Sequence, residues 1–230
     1  MVFGPTKKTR NNQQIAVSIN GQTLEIVTKT KFLGLILDNE LSWKPHTLYI
    51  AQKIAKSVGI LSRARKILNP APLLQLYYSF INPYISYCNL AWGNSPNTTL
   101  WPVFRLQKIA LRLISNAPWN STTLPFCKDK TILRLPEIYN QASSIFMYKY
   151  KHGLLPAIFD TFFTHNNAYH RYPTRKGNKL RVPLTKTSTA NNFITKTSVD
   201  IWNSLEDKIT ENIKIGAFKS QLKIFLVEQY

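Results

Sequence analysis

The apolar residues of this chain change period once, near Ser42, and that change constrains the fold more than any other feature. Before it they run as in β-strands, and after it they recur every three or four residues, as on one face of a helix. "IAVSI" (15–19) and "QTLEIV" (22–27) flank Asn20-Gly21, a dipeptide that tolerates the positive φ angles of a type I′ turn. An antiparallel β-hairpin is expected there. "KFLGLIL" (31–37) predicts a third strand, with Phe32, Gly34 and Ile36 on one face and Leu33, Leu35 and Leu37 on the other. Because both faces are apolar, the pattern predicts cover on both sides.

From Ser42, as N-cap, with Pro45 in the first turn, Ile50, Ile54, Val58, Leu61, Ala64 and Leu68 define one helical stripe. Lys53, Lys56, Arg63 and Lys66 fall on roughly the opposite side. A second helix starts near Pro72, with Leu73, Leu76, Tyr77, Phe80, Ile81, Tyr84 and Ile85 inward, and Pro83 kinks or splits it. The aromatics Tyr77, Phe80, Tyr84, Tyr87 and Trp92 have core-like spacing. A third helix covers 99–116 through Val103, Leu106, Ile109, Ala110, Leu113 and Ile114, with Arg105, Lys108 and Arg112 on its other side, and Pro118 ends it. Further helices are expected at 136–152, stopped by Gly153, at 192–205 and at 215–230. Between them the basic stretch near 163–190, rich in Pro, Asn and Thr, predicts a long loop or extended arm. The fold class is α+β, mainly α: a short N-terminal antiparallel hairpin plus a third strand (1–41), a helical bundle (42–120) and a further helical region (121–230).

Charge narrows the partner. Thirty Lys and Arg stand against eleven Asp and Glu, a formal net charge of +19. No acid lies between Glu40 and Asp129, a span that holds Lys44, Lys53, Lys56, Arg63, Arg65, Lys66, Arg105, Lys108, Arg112 and Lys128. A solvated helix ordinarily carries Glu partners one turn from its Lys and Arg, and these helices have none. Nucleic acid is the natural polyanion, ahead of an anionic membrane surface or a basicity that serves only solubility.

No local pattern supports a catalytic site, although a Ser or Cys nucleophile with a His base stays open on the sequence. Apart from Asp38 with Glu40 and Glu206 with Asp207, the acids are scattered, and these two pairs read as a turn and a helix end. His165 and His170 lie five residues apart without nearby ligand types, and neither a dinucleotide-binding glycine motif nor a phosphate loop is present. No catalytic or metal-binding residue is assigned. Cys88 and Cys127 are too few for a disulfide framework, no signal peptide opens the chain, and no apolar run approaches the roughly 20 residues of a membrane span. A soluble intracellular chain is expected, nuclear or cytoplasmic, with no membrane partner.

The order of "MVFG", a hairpin, "KFLGLILDNELSWKPH", "KIAKSVGILSRAR", "LLQLYYSFINPYISYCNLAWG" and "LQKIALRLI" resembles the C-terminal half of non-LTR retrotransposon (LINE) reverse transcriptases, above all jockey-like elements. "LPEIYNQASSIFMYKY", "GLLPAIF", "YPTR", "IWNSL" and "FKSQLKIFL" extend the likeness over essentially the whole chain. The resemblance implies an RNA-directed DNA polymerase in which 1–41 is the palm edge, 42–120 the thumb and 121–230 the region beyond it. It implies that Phe32, Leu33 and Gly34 form a primer grip beside the primer terminus, and that the helix bearing Lys53, Lys56, Arg63 and Lys66 faces the backbone of an RNA/DNA template–primer duplex. Arg175, in "YPTR", would touch RNA or DNA. The family's catalytic aspartates belong upstream of the segment like "MVFG", where this chain starts. This chain alone is therefore expected to lack polymerase activity and to need no cofactor, the Mg2+ of the full polymerase and the remaining palm and fingers lying elsewhere. Two alternatives stay open on the sequence: a domesticated, non-catalytic nucleic-acid-binding protein, and a basic helical protein-interaction module.

Overall fold

A computed structural model of the chain describes residues 1, 3–4, 17–168, 179–211 and 214–230. Strands β1 (Ser18–Ile19) and β2 (Gln22–Thr23) pair antiparallel across Asn20 (φ 52°) and Gly21 (φ 80°), the predicted turn. The expected third strand is corrected. Lys29–Phe32 (β3) and Leu35–Asp38 (β4) form a second antiparallel hairpin, in register from Lys29 opposite Asp38 to Phe32 opposite Leu35. The chain reverses at Leu33 (φ 46°) and Gly34 (φ 82°), so "KFLGLIL" is two arms and a turn. Cover on both faces is corrected with it: Phe32 and Leu33 are 60% and 72% exposed, and Leu35, Ile36 and Leu37 are half-buried. The class itself, mainly α with a small antiparallel β portion, is as expected.

Helix α1 (Lys44–Ala64) buries His46, Thr47, Ile50, Ala51, Ile54, Ser57 and Leu61 on one side. Its expected cap is also corrected. Trp43, left-handed at φ 61°, occupies the N-cap position, and the carboxylate of Asp38 accepts the amides of Ser42 (3.0 Å) and Trp43 (3.1 Å). The helix ends at Ala64, so Leu68 leaves the stripe and is exposed.

Pro83 splits the next helix into α2 (Pro70–Phe80) and α3 (Asn82–Ser86), and the carbonyl of Phe80 at the break accepts a hydrogen bond from the buried Ser57 hydroxyl at 3.1 Å. Cys88 (φ 46°) then turns the chain into α4 (Asn89–Trp92). Through both breaks the buried line keeps to every fourth residue, Leu73, Tyr77, Ile81, Ile85 and Asn89, which is narrower than the predicted apolar face. Tyr77 and Trp92 are buried as expected, whereas Phe80, Tyr84 and Tyr87, expected in the core, are 47%, 40% and 52% exposed.

Helix α5 (Asn97–Ile114) packs along α1 and buries Leu100, Val103, Gln107, Ala110, Leu111 and Ile114, while the expected Leu106, Ile109 and Leu113 are only half-buried. Gln107 is a polar hub in this core. Its Nε2 donates to the Tyr77 hydroxyl (2.9 Å) and the Leu133 carbonyl (3.1 Å), and its Oε1 accepts from the Leu135 amide (2.9 Å). One side chain thereby joins α2, α5 and the start of α7 (Leu135–Lys151), which follows the short α6 (Leu124–Asp129).

The remaining helices are α8 (Ser188–Asn191), α9 (Ile194–Ser204), α10 (Asp207–Thr210) and α11 (Ile215–Glu228). The main core runs from Ile50 to Val227, and a smaller cluster gathers Phe146, Met147, Phe163, Leu180 and Val199. Helix α7 serves both: Ile138 and Tyr148 pack in the first, Phe146 and Met147 in the second. At the described ends of the basic stretch, His165 bridges to buried Leu180 and α8 begins at Ser188, while its middle, 169–178, lies outside the described residues. Among the described residues no helix is long and apolar enough to cross a membrane.

Candidate nucleic-acid interface

The tip of the second hairpin is built from Phe32, Leu33 and Gly34 and is tied to the helices by three polar links. A leucine at positive φ costs roughly 1–2 kcal/mol, so the turn needs support from outside the hairpin. The Tyr87 hydroxyl supplies it, donating to the Leu33 carbonyl at 2.7 Å, while the position of a Cβ on Gly34 would lie 3.4 Å from the Tyr87 ring. At the next step along the strand, the edge amide of Ile36 donates to His46 Nδ1 at 3.3 Å. At its end, Asp38 holds the entry to α1. The indole N–H of buried Trp92 donates to the Tyr87 carbonyl (3.0 Å), fixing the segment that presents the phenol.

Beside the tip, α1 presents its basic stripe. At 100° per residue, Tyr49, Lys53, Lys56, Ile60 and Arg63 fall within about 40° of one line, and that line runs roughly 20 Å along the helix. Hairpin and stripe meet at Tyr49: the ammonium of Lys31, from β3, lies 5.7 Å from the ring centroid and that of Lys53 5.5 Å. None of Lys31, Lys53, Lys56, Arg63 and Lys66 is ion-paired with a carboxylate among the described residues.

The predicted site residues therefore divide. Phe32, Leu33 and Gly34 form the exposed hairpin tip against Tyr87, while Lys53 meets Lys31 of β3 at the Tyr49 ring and stands in line with Lys56 and Arg63 along α1. Lys66 sits in the turn after α1 ends, and Arg175 lies outside the described residues, as does His170. Sequence reasoning missed Lys31, Tyr49 and Tyr87. Tyr49 had a signal, being one turn before Lys53 on a helix whose buried line was already assigned.

The two acidic pairs are engaged in local backbone structure. Asp38 is buried and uses both oxygens on backbone amides, Glu206 and Asp207 open α10, and among the described residues no group of three His, Cys, Asp or Glu could hold an ion. Burial lowers the His46 pKa below its ordinary value, consistent with a neutral ring whose Nδ1 accepts from Ile36. Buried Cys127 has its thiol pushed up to about 11, chiefly by desolvation, which keeps it protonated and unreactive at neutral pH.

No family model matches the chain, and no solved structure matches it. Curated relatives do, and they are RNA-directed DNA polymerases from mobile elements. The chain is similar to the RNA-directed DNA polymerase from mobile element jockey of Drosophila melanogaster, 28% identical over 132 residues, and to that of Drosophila funebris, 31% identical over 126 residues. The matched stretches make up 56% and 53% of this chain but 14% and 13% of those relatives, so the match spans a small part of their length. The likeness to jockey-like reverse transcriptases read from the ordered motifs is thus supported by these matches over a little more than half of the chain.

Proposed function

We propose that this chain carries the primer-grip edge, the thumb and the following C-terminal region of a jockey-like reverse transcriptase, and that it holds a template–primer duplex without itself performing the chemistry. The hairpin tip Phe32-Leu33-Gly34 lies at the primer terminus. Lys53, Lys56 and Arg63 follow the duplex backbone, joined by Lys66 and by Arg175 of the basic arm. One observation carries this reading: Lys31 of the second hairpin and Lys53 of α1 share the ring of Tyr49, so the hairpin adjoins a cationic stripe whose residues have no carboxylate partner among the described residues. A surface of that kind is stabilised by phosphates and gains affinity from the counterions they release.

The Mg2+ of the polymerase is held, on this account, by carboxylates outside the chain. Exposed Ile19, Leu24, Ile26, Phe32 and Leu33 around two small hairpins support contact with the rest of a palm. Titration of a labelled RNA–DNA duplex at several salt concentrations tests the proposal. Binding should weaken linearly on a logarithmic salt axis, with little dependence on sequence, and the chain alone should not extend the primer. Salt-independent binding, or none at low salt, would favour a protein-interaction module instead.

A further inference from the structure

Helix α5 carries a second line of cations, away from the α1 stripe and on its own outward face. Trp101, Arg105, Lys108 and Arg112 fall within about 40° of one line and roughly 150° from the centre of the buried face. Trp101 is 52% exposed. The Lys108 ammonium rests over the rings of Trp101 (4.4 Å) and Phe104 (4.7 Å), and the Arg112 Nε donates to the Ser121 carbonyl at 2.8 Å. None of Arg105, Lys108 and Arg112 has a carboxylate partner among the described residues, and Arg134, the next cation, is already paired with Glu137. Desolvation first, and then the nearby charges of Arg112 and Arg134, lower the Lys108 pKa.

We propose that this face of α5 is a contact for unpaired nucleic acid, distinct from the duplex surface on α1: phosphates meet Arg105, Lys108 and Arg112, and a base stacks on Trp101. An exposed indole at the end of a cation line suits a single strand, whose bases are free to stack on an aromatic ring while the groove of cations follows the backbone. Lys108 then leaves the indole face for a phosphate. A duplex hides its bases and would use the cations alone. The proposal rests on nucleic acid being the partner, but on other residues and another form of it than the duplex reading.

The test uses the whole chain and three probes: a blunt RNA–DNA duplex, the same duplex with a single-stranded template overhang, and a free single strand. Arg105→Glu with Lys108→Glu should weaken the overhang and single-strand probes by about tenfold and leave the blunt duplex nearly unchanged. Trp101→Ala should lose several-fold on the same two probes, and Trp101→Tyr should restore most of it. Melting curves matching the parent protein confirm that each variant is folded, and an unfolded variant is replaced by Arg105→Gln with Lys108→Gln. Equal losses on all three probes, no loss on any, or displacement only by an acidic peptide would each overturn the proposal. The duplex reading fails separately, if blunt duplex binding is absent in the parent protein.

Discussion

The hydroxyl of Tyr87 donates to the carbonyl oxygen of Leu33 at 2.7 Å, linking a helix junction to a hairpin tip 54 residues earlier. Its ring also closes the space beside Gly34, whose φ of 82° already disfavours any side chain. Tyr87→Phe should loosen the tip by about 0.5–1.5 kcal/mol, toward the low end because the bond is exposed. Gly34→Ala should cost about 1–2 kcal/mol, since it strains a turn held at positive φ. Hydrogen exchange of the 29–38 amides should rise in both variants, more in Gly34→Ala, with exchange in α5 and α7 unchanged. Equal exchange in the parent and both variants would remove Tyr87 as the tether.

His46 should make the hairpin's attachment acid-sensitive. Its Nδ1 accepts from Ile36, its Nε2 is buried without a hydrogen-bond partner among the described residues, and the rings of Trp43 and Trp92 pack edge-on at 6.2 and 5.7 Å. Burial lowers its pKa, so below the unfolded value of about 6.5 the unfolded chain binds more protons than the folded one. Stability from this group is full above that pH and is lost as pH falls toward the folded pKa. Urea midpoints at pH 7.5 and 5.0 should differ less in His46→Phe than in the parent protein; an unchanged difference would contradict the assignment.

Gln107→Leu should be among the most damaging single changes in the helical body. It leaves the Tyr77 hydroxyl without its donor and both the Leu133 carbonyl and the Leu135 amide unpaired in the core. A loss of about 3 kcal/mol is expected, read as a lowered urea midpoint. Gln107→Glu should also destabilise at neutral pH, because a carboxylate cannot donate to either oxygen. A loss below about 0.5 kcal/mol for Gln107→Leu would mean the hub carries no weight.

Local chemistry decided which of these features could be read from sequence. Asn20-Gly21 announces its turn, and the helices of 44–64, 97–114 and 135–151 follow from apolar spacing. The Leu33-Gly34 turn does not announce itself, because leucine rarely takes a positive φ and the alternation of the two arms reads straight through it. Phe80, Tyr84 and Tyr87 read as core because apolar residues crowd this stretch, whereas the buried line is the narrower Leu73, Tyr77, Ile81 and Ile85, every fourth residue. Gln107 looked like surface by residue type, yet it stands four residues from both Val103 and Leu111, in the middle of the buried line. Of the interface, the cations of α1 were legible; Tyr49 and Tyr87, which join them to the hairpin, required the fold.

The surface shared by the hairpin and α1 is tested most directly by reversing its charges. Duplex affinity should be measured across a salt series for the parent chain and for Lys53→Glu, Lys56→Glu, Arg63→Glu and Lys66→Glu combined, with matching melting curves as the control for folding. If these side chains meet phosphates, binding weakens sharply at low salt and the logarithmic salt slope falls by about three to four. Unchanged affinity and slope in the folded variant would contradict a duplex on this face of α1.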